Sequence, residues 1–129
     1  MIKVLIADDR AASRELIRTV LEADGYEVYE AVDGWDAVRR AEECQPALII
    51  LDLQMPRLNG IEALQKLRQD RQFSDIPVLA LTASAMNGDR ERALEAGFTA
   101  YITKPVSLTS LRGELRRLLD AGALRAAGD

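Results

Sequence analysis

With 129 residues, 48% of them hydrophobic and 29% charged, the chain fits one compact domain that buries its own core. A net charge of −4 argues against nucleic-acid binding, and the lack of histidine excludes Ser/His/Asp and Cys/His nucleophile systems, His-ligated zinc and an internal phosphohistidine. The single cysteine, Cys44, excludes an internal disulfide and suits a reducing cytoplasm. No apolar run approaches the roughly 18 residues of a membrane span.

Lys3 to Ala7 is a short apolar run that predicts a strand, followed directly by Asp8-Asp9-Arg10. Leu16, Ile17, Val20 and Leu21 recur at helical spacing and predict a helix over about 11–24, ended by Asp24-Gly25. Glu27 to Ala31 alternates, as an edge strand with one polar face does. Trp35, Val38 and Ala41 then mark the apolar stripe of a second helix that ends near Pro46. Ala47 to Leu51 runs without a polar break and stops at Asp52, the signature of a central strand buried on both faces.

Loop chemistry follows at Met55-Pro56 and Asn59-Gly60, and Ile61, Leu64 and Leu67 stripe a third helix. Val78 to Leu81 is another buried strand, stopping at Thr82. A helix from about 89 to 96, a last strand at Ala100 to Thr103 with Lys104-Pro105 at its end, and a helix striped by Leu108, Leu111, Leu115, Leu118 and Leu119 complete the pattern. Residues 122–129 read as a flexible tail to a domain of residues 1–121. Strict β/α alternation with short connections predicts an α/β fold, a five-stranded parallel sheet with five helices on both faces.

Parallel strands end at one edge, so Asp8 and Asp9, Asp52, Thr82 and Lys104 converge there, where open α/β sheets bind ligands. Singly, these are ordinary residues: an acidic pair before a helix complements its dipole, and a lone lysine is usually solvated. Together they form a set. Three neighbouring carboxylates repel one another unless a cation sits among them, and hard oxygen ligands suit Mg²⁺. A lysine and a hydroxyl opposite serve the oxygens of a phosphoryl group, which leaves a strand-end carboxylate as nucleophile.

At Asp8-Asp9, Asp52-Leu53-Gln54-Met55-Pro56 with Asn59-Gly60, Thr82-Ala83 and Lys104-Pro105, the sequence resembles the receiver domains of bacterial response regulators, over about Ile2 to Leu119. The stretch from Thr82 to Pro105, with Ala83-Ser84-Ala85-Met86-Asn87-Gly88 in it, is similar to single-domain DivK-type receivers and to receivers of hybrid histidine kinases. The resemblance implies the flavodoxin-like (CheY-like) strand order 2-1-3-4-5. It implies that Asp52 accepts a phosphoryl group from a phosphohistidine on a sensor histidine kinase or histidine phosphotransfer protein. It further implies Mg²⁺ held by Asp9, Asp52 and the Gln54 carbonyl, with Asp8 acting through a metal-bound water. Lys104, the Thr82 hydroxyl and the Ala83 N–H would bind phosphoryl oxygens, and a cis bond before Pro105 would aim the lysine. Thr82 and Tyr101 match the family's switch pair, which changes the surface of the fourth helix, fifth strand and fifth helix for a downstream protein target.

Such a protein is a stoichiometric phosphoacceptor in the cytoplasm rather than an enzyme, and the resemblance allows a homodimer on activation. Gln54 and Ser84 line the water's approach and bear on phosphate lifetime. The first helix, around Ser13, Arg14 and Ile17, is the expected kinase contact. Arg112, Arg116 and Arg117 give the last helix a basic face, solvated or part of a docking surface. A haloacid-type phosphatase needs a second Asp where Gln54 stands, and a flavodoxin's phosphate would be repelled by Asp8-Asp9. A phosphorylation-independent interaction module is the remaining alternative. Met1 directly before the first strand favours a free-standing receiver, although a piece of a hybrid kinase or larger regulator would read the same way.

Overall fold

In the computed structural model, which describes residues 2–83 and 89–128, strands and helices alternate along the chain. The elements are β1 (Lys3–Ala7), α1 (Ala11–Ala23), β2 (Glu27–Ala31), α2 (Gly34–Cys44), β3 (Leu48–Asp52), α3 (Gly60–Gln69), β4 (Val78–Thr82), α4 (Asp89–Ala96), β5 (Ala100–Thr103) and α5 (Leu108–Gly128). All strand pairs are parallel, in the order β2-β1-β3-β4-β5, which bears out the expected sheet. The polar alternation of Glu27 to Ala31 belongs to an edge, while β3, at the centre, is buried along its whole length.

The two-residue period of the strands splits the core in two. Val4, Ile6, Leu48, Ile50, Leu79 and Leu81 face Ile17 and Leu21 of α1 and Leu111, Leu115 and Leu118 of α5. Leu5, Ala7, Ile49, Leu51, Val78 and Ala80 face the other way, onto Ala37 and Ala41 of α2, Ala63, Leu64 and Leu67 of α3, and Ala93 of α4. Helix ends follow the local chemistry. Gly25 takes φ +92 after α1, and Asn59 forms a capping box with Glu62 at the start of α3.

Several sequence expectations need correction. Trp35 is 52% exposed, and the buried face of α2 is Gly34, Ala37, Ala41 and Cys44 instead. The reason is a close approach: a Cβ on Gly34 would lie 2.0 Å from the Leu58 carbonyl oxygen. Small residues therefore face inward, and the indole turns outward beneath the Lys66 ammonium, 4.7 Å from the ring centroid. Leu16 is 51% exposed, outside the buried stripe of α1. Helix α5 spans Leu108–Gly128, through a stretch rich in the helix formers Ala, Leu and Arg. Its basic face is partly neutralised, by Arg112 with Asp24 and Arg117 with Glu114. Among the described residues, no helix is long and apolar enough to cross a membrane.

A short 3₁₀ turn at Arg71–Phe73 precedes β4, absent from the sequence reading. Arg68 holds it: its guanidinium donates to the carbonyls of Phe73 (2.8 Å), Ile76 (2.7 Å) and Gly97 (3.0 Å). One side chain thus ties α3 to the entry of β4 and the end of α4. Arg68→Ala orphans three partly buried carbonyls, and we expect a loss of about 2–4 kcal/mol in urea unfolding. Unchanged stability would show that water replaces the guanidinium freely.

Candidate functional site

The central strands place the acids. β1 and β3 are neighbours, with Ala7 opposite Leu51, so Asp8 and Asp52 emerge side by side at their carboxyl ends. Asp8 is fully buried and Asp52 is 4% exposed, whereas Asp9 faces solvent. One carboxylate oxygen from each of the three can be drawn from a group lying within 4.8 Å. Backbone geometry fixes two of them: the Arg10 N–H donates to Asp8 Oδ1 and the Gln54 N–H to Asp52 Oδ1, each at 2.9 Å. Gly60 packs directly behind Asp52, where a Cβ would come within 2.4 Å of the Asp52 carbonyl oxygen.

Lys104 brings a positive charge to two of the three acids. It arrives from the end of β5, and its bond to Pro105 is cis, as the resemblance implies. The ammonium bridges Asp8 Oδ2 at 2.9 Å and Asp52 Oδ2 at 2.8 Å, with 15% of the side chain exposed. Burial works against the lysine's charge, but the two carboxylates outweigh it and raise its pKa. They respond in opposite directions. Burial pushes the Asp52 carboxyl up, and the donors Lys104 and Gln54 only partly offset it. Asp8 feels the same burial, yet bonds from Ser13, the Arg10 N–H and Lys104 hold it below the usual carboxylate value.

Above the acids opens a cleft of about 150 Å³ lined by Asp9, Arg10, Asp52, Gln54, Ala83 and Lys104. Thr82 stands buried at the end of β4, 2% exposed, directly before Ala83. Tyr101, on the neighbouring strand β5, is partly exposed and packs against the core on the α2–α4 face. Neither residue lines the cleft. Ser84, the second position expected along the water's approach, lies outside the described residues, as does the segment through Gly88.

Three residues support the site in ways the sequence did not indicate, Ser13 and Arg14 having been expected only as kinase contacts. Ser13 bonds Asp8. Arg14 donates to the Asp8 carbonyl at 2.8 Å and pairs with Glu30 on β2 at 3.1 Å, so it ties α1 to the site. Arg10 lines the mouth of the cleft, and its position one residue past the acidic pair was the available signal. The arrangement offers hard oxygen ligands for a small divalent cation, a fixed ammonium, and a buried carboxylate facing an open cleft.

Residues 4–116 match the response regulator receiver domain family. Among curated proteins, the polar-differentiation response regulator DivK of Brucella ovis is 41% identical over 105 residues, covering 81% of this chain and 85% of the relative. Among solved structures, a chemotaxis response regulator of Vibrio cholerae superposes with a TM-score of 0.86 at 31% identity, over 92% of this chain and 98% of that one. The receiver domain of a Pseudomonas aeruginosa sensor histidine kinase, solved with a magnesium ion coordinated in its active-site cleft, gives 0.85 at 34% identity, over 92% and 97%. With this match over most of its length, the chain belongs to the response regulator receiver domains of two-component signalling.

Proposed function

We propose that this chain is a stoichiometric phosphoacceptor, taking a phosphoryl group from a partner's phosphohistidine onto a carboxylate oxygen of Asp52. The observation that carries the reading is the Lys104 ammonium bridging Asp8 and Asp52 beneath an open cleft. Asp9, Asp52 and the Gln54 carbonyl would hold Mg²⁺, and Asp8 would act through a bound water. When bound, Mg²⁺ supplies charge neutralisation for the phosphoryl oxygens. Lys104 then exchanges a carboxylate partner for a phosphoryl oxygen, while the Thr82 hydroxyl and the Ala83 N–H take the others. Transfer forms an O–P bond to Asp52 and breaks the P–N bond of the donor, whose imidazole nitrogen keeps the electron pair.

A groove of about 490 Å³ runs from the cleft along Ser13, Leu16 and Ile17 of α1 to Pro105 and Val106. Its position beside Lys104 supports docking of the phosphohistidine-bearing partner on α1, and explains a leucine left half exposed. For output, the drawing-in of Thr82 by the phosphoryl group would let Tyr101 rotate inward. That shifts the population of the α4–β5–α5 surface toward a form with altered affinity for a downstream protein.

Incubation with Mg²⁺ and acetyl phosphate, followed by intact mass, tests the reading. A gain of one phosphoryl group that requires Mg²⁺ supports it. No gain by a folded wild type would overturn it, in favour of an interaction module that works without phosphorylation.

A further inference from the structure

We propose that Arg10 sets the sign of the field met by an incoming phosphodonor, and so acts as a specificity residue for dianionic donors. This rests on the reading of Asp52 as phosphoacceptor. Arg10 is exposed and lines both the acidic cleft and the apolar groove beside it, a position it shares with Ala83 and Lys104. Its backbone N–H is committed to Asp8, but among the described residues its guanidinium has no hydrogen bond or ion pair. The next arginines along α1 differ: Arg14 pairs with Glu30, and Arg18 with Glu22 and Glu30.

Charge decides what this guanidinium does. Three carboxylates against one lysine leave the cleft two charges negative. A divalent cation cancels that charge without reversing it, so a loaded cleft built from these groups alone would not attract an anion. The chain as a whole carries −4 and would repel one. Arg10, at the lip, turns the loaded cleft net positive toward a phosphoryl dianion. The same cation opposes Mg²⁺ entering the empty cleft. Arg10 therefore has opposite effects on the two ligands, which a purely structural role would not produce.

The test measures Mg²⁺-dependent phosphorylation by acetyl phosphate over a range of ionic strength, for wild type, Arg10→Ala, Arg10→Lys and Arg10→Glu. In each case Asp52 forms an O–P bond as the donor's P–O bond breaks, and acetate leaves with the electron pair. Wild type is expected to slow as salt rises, because screening weakens an attraction. Arg10→Ala should be about 5-fold slower at low salt and nearly flat with salt, and Arg10→Glu slower still and accelerated by salt. Arg10→Lys should keep the wild-type slope. Calorimetry should show Mg²⁺ binding about 2- to 3-fold tighter in Arg10→Ala.

Wild-type rates and slope in Arg10→Ala and Arg10→Glu would overturn the inference while leaving Asp52 phosphorylation intact. A variant that loses both Mg²⁺ affinity and rate would also overturn it, by showing that residue 10 acts only through the hold of its backbone on Asp8. If wild type itself takes no phosphoryl group, the phosphoacceptor reading fails and this inference falls with it.

Discussion

Asp52→Asn is expected to abolish phosphoryl uptake, lowering it by at least about three orders of magnitude, while making the metal-free fold more stable at neutral pH. The first effect follows from removing the buried carboxylate that, among the described residues, lines the cleft. The second follows from its environment. Burial raises the Asp52 carboxyl above its ordinary value, against the opposing pull of Lys104. The folded carboxyl then holds its proton more tightly than the unfolded one does. Stability falls as pH rises from the unfolded value through the raised folded value, and at neutral pH the cost is fully present. Asparagine carries no such charge and leaves Lys104 its bond to Asp8 at 2.9 Å. Thermal unfolding without Mg²⁺ should show the mutant ahead of wild type at pH 7, with the advantage shrinking as pH falls through the raised folded value and gone below about pH 4. A mutant that is less stable at pH 7 would contradict this balance of burial and pairing.

Lys104→Ala should act in the opposite sense on stability and in the same sense on chemistry. The ammonium is the shared partner of two buried carboxylates, and its removal leaves both uncompensated. Breaking a buried pair from one side costs about 3–5 kcal/mol. Much of that should return on adding Mg²⁺, since a ligand at about 100 times its Kd contributes about 2.7 kcal/mol. Because the competing cation is gone, Mg²⁺ should also bind more tightly than in wild type. Phosphoryl uptake should still fall about 10²- to 10³-fold, the usual consequence of losing one preorganised charge partner for a developing oxyanion. Calorimetry with Mg²⁺ and urea unfolding with and without it check the pair of effects. Unchanged stability together with weaker Mg²⁺ binding would mean that Lys104 is a solvated bystander.

The parts of the site that lie on strand ends were readable because parallel pairing carries all five ends to one edge. Asp8 and Asp52 need only the apolar runs before them to be placed, and Lys104 only the run from Ala100 to Thr103. What periodicity does not contain is contact between distant segments. Trp35 has the helical spacing of a core residue, but the approach of Gly34 to the Leu58 carbonyl decides which face turns inward. The turn at Arg71–Phe73 has no periodic signal, and Arg68 holds it partly through the Gly97 carbonyl, 29 residues away. Arg10 stood beside the acids in the sequence, yet its importance emerges only when the cleft and the groove meet at its side chain.

The most direct test of the account is chemical localisation of the phosphoryl group. Protein phosphorylated with acetyl phosphate and Mg²⁺ is reduced with borohydride, which converts an aspartyl phosphate to homoserine, and the peptides are mapped by mass. Homoserine is expected at position 52 and nowhere else. Homoserine at position 8 or 9, or a phosphoryl group that resists reduction on a hydroxyl side chain, would contradict it.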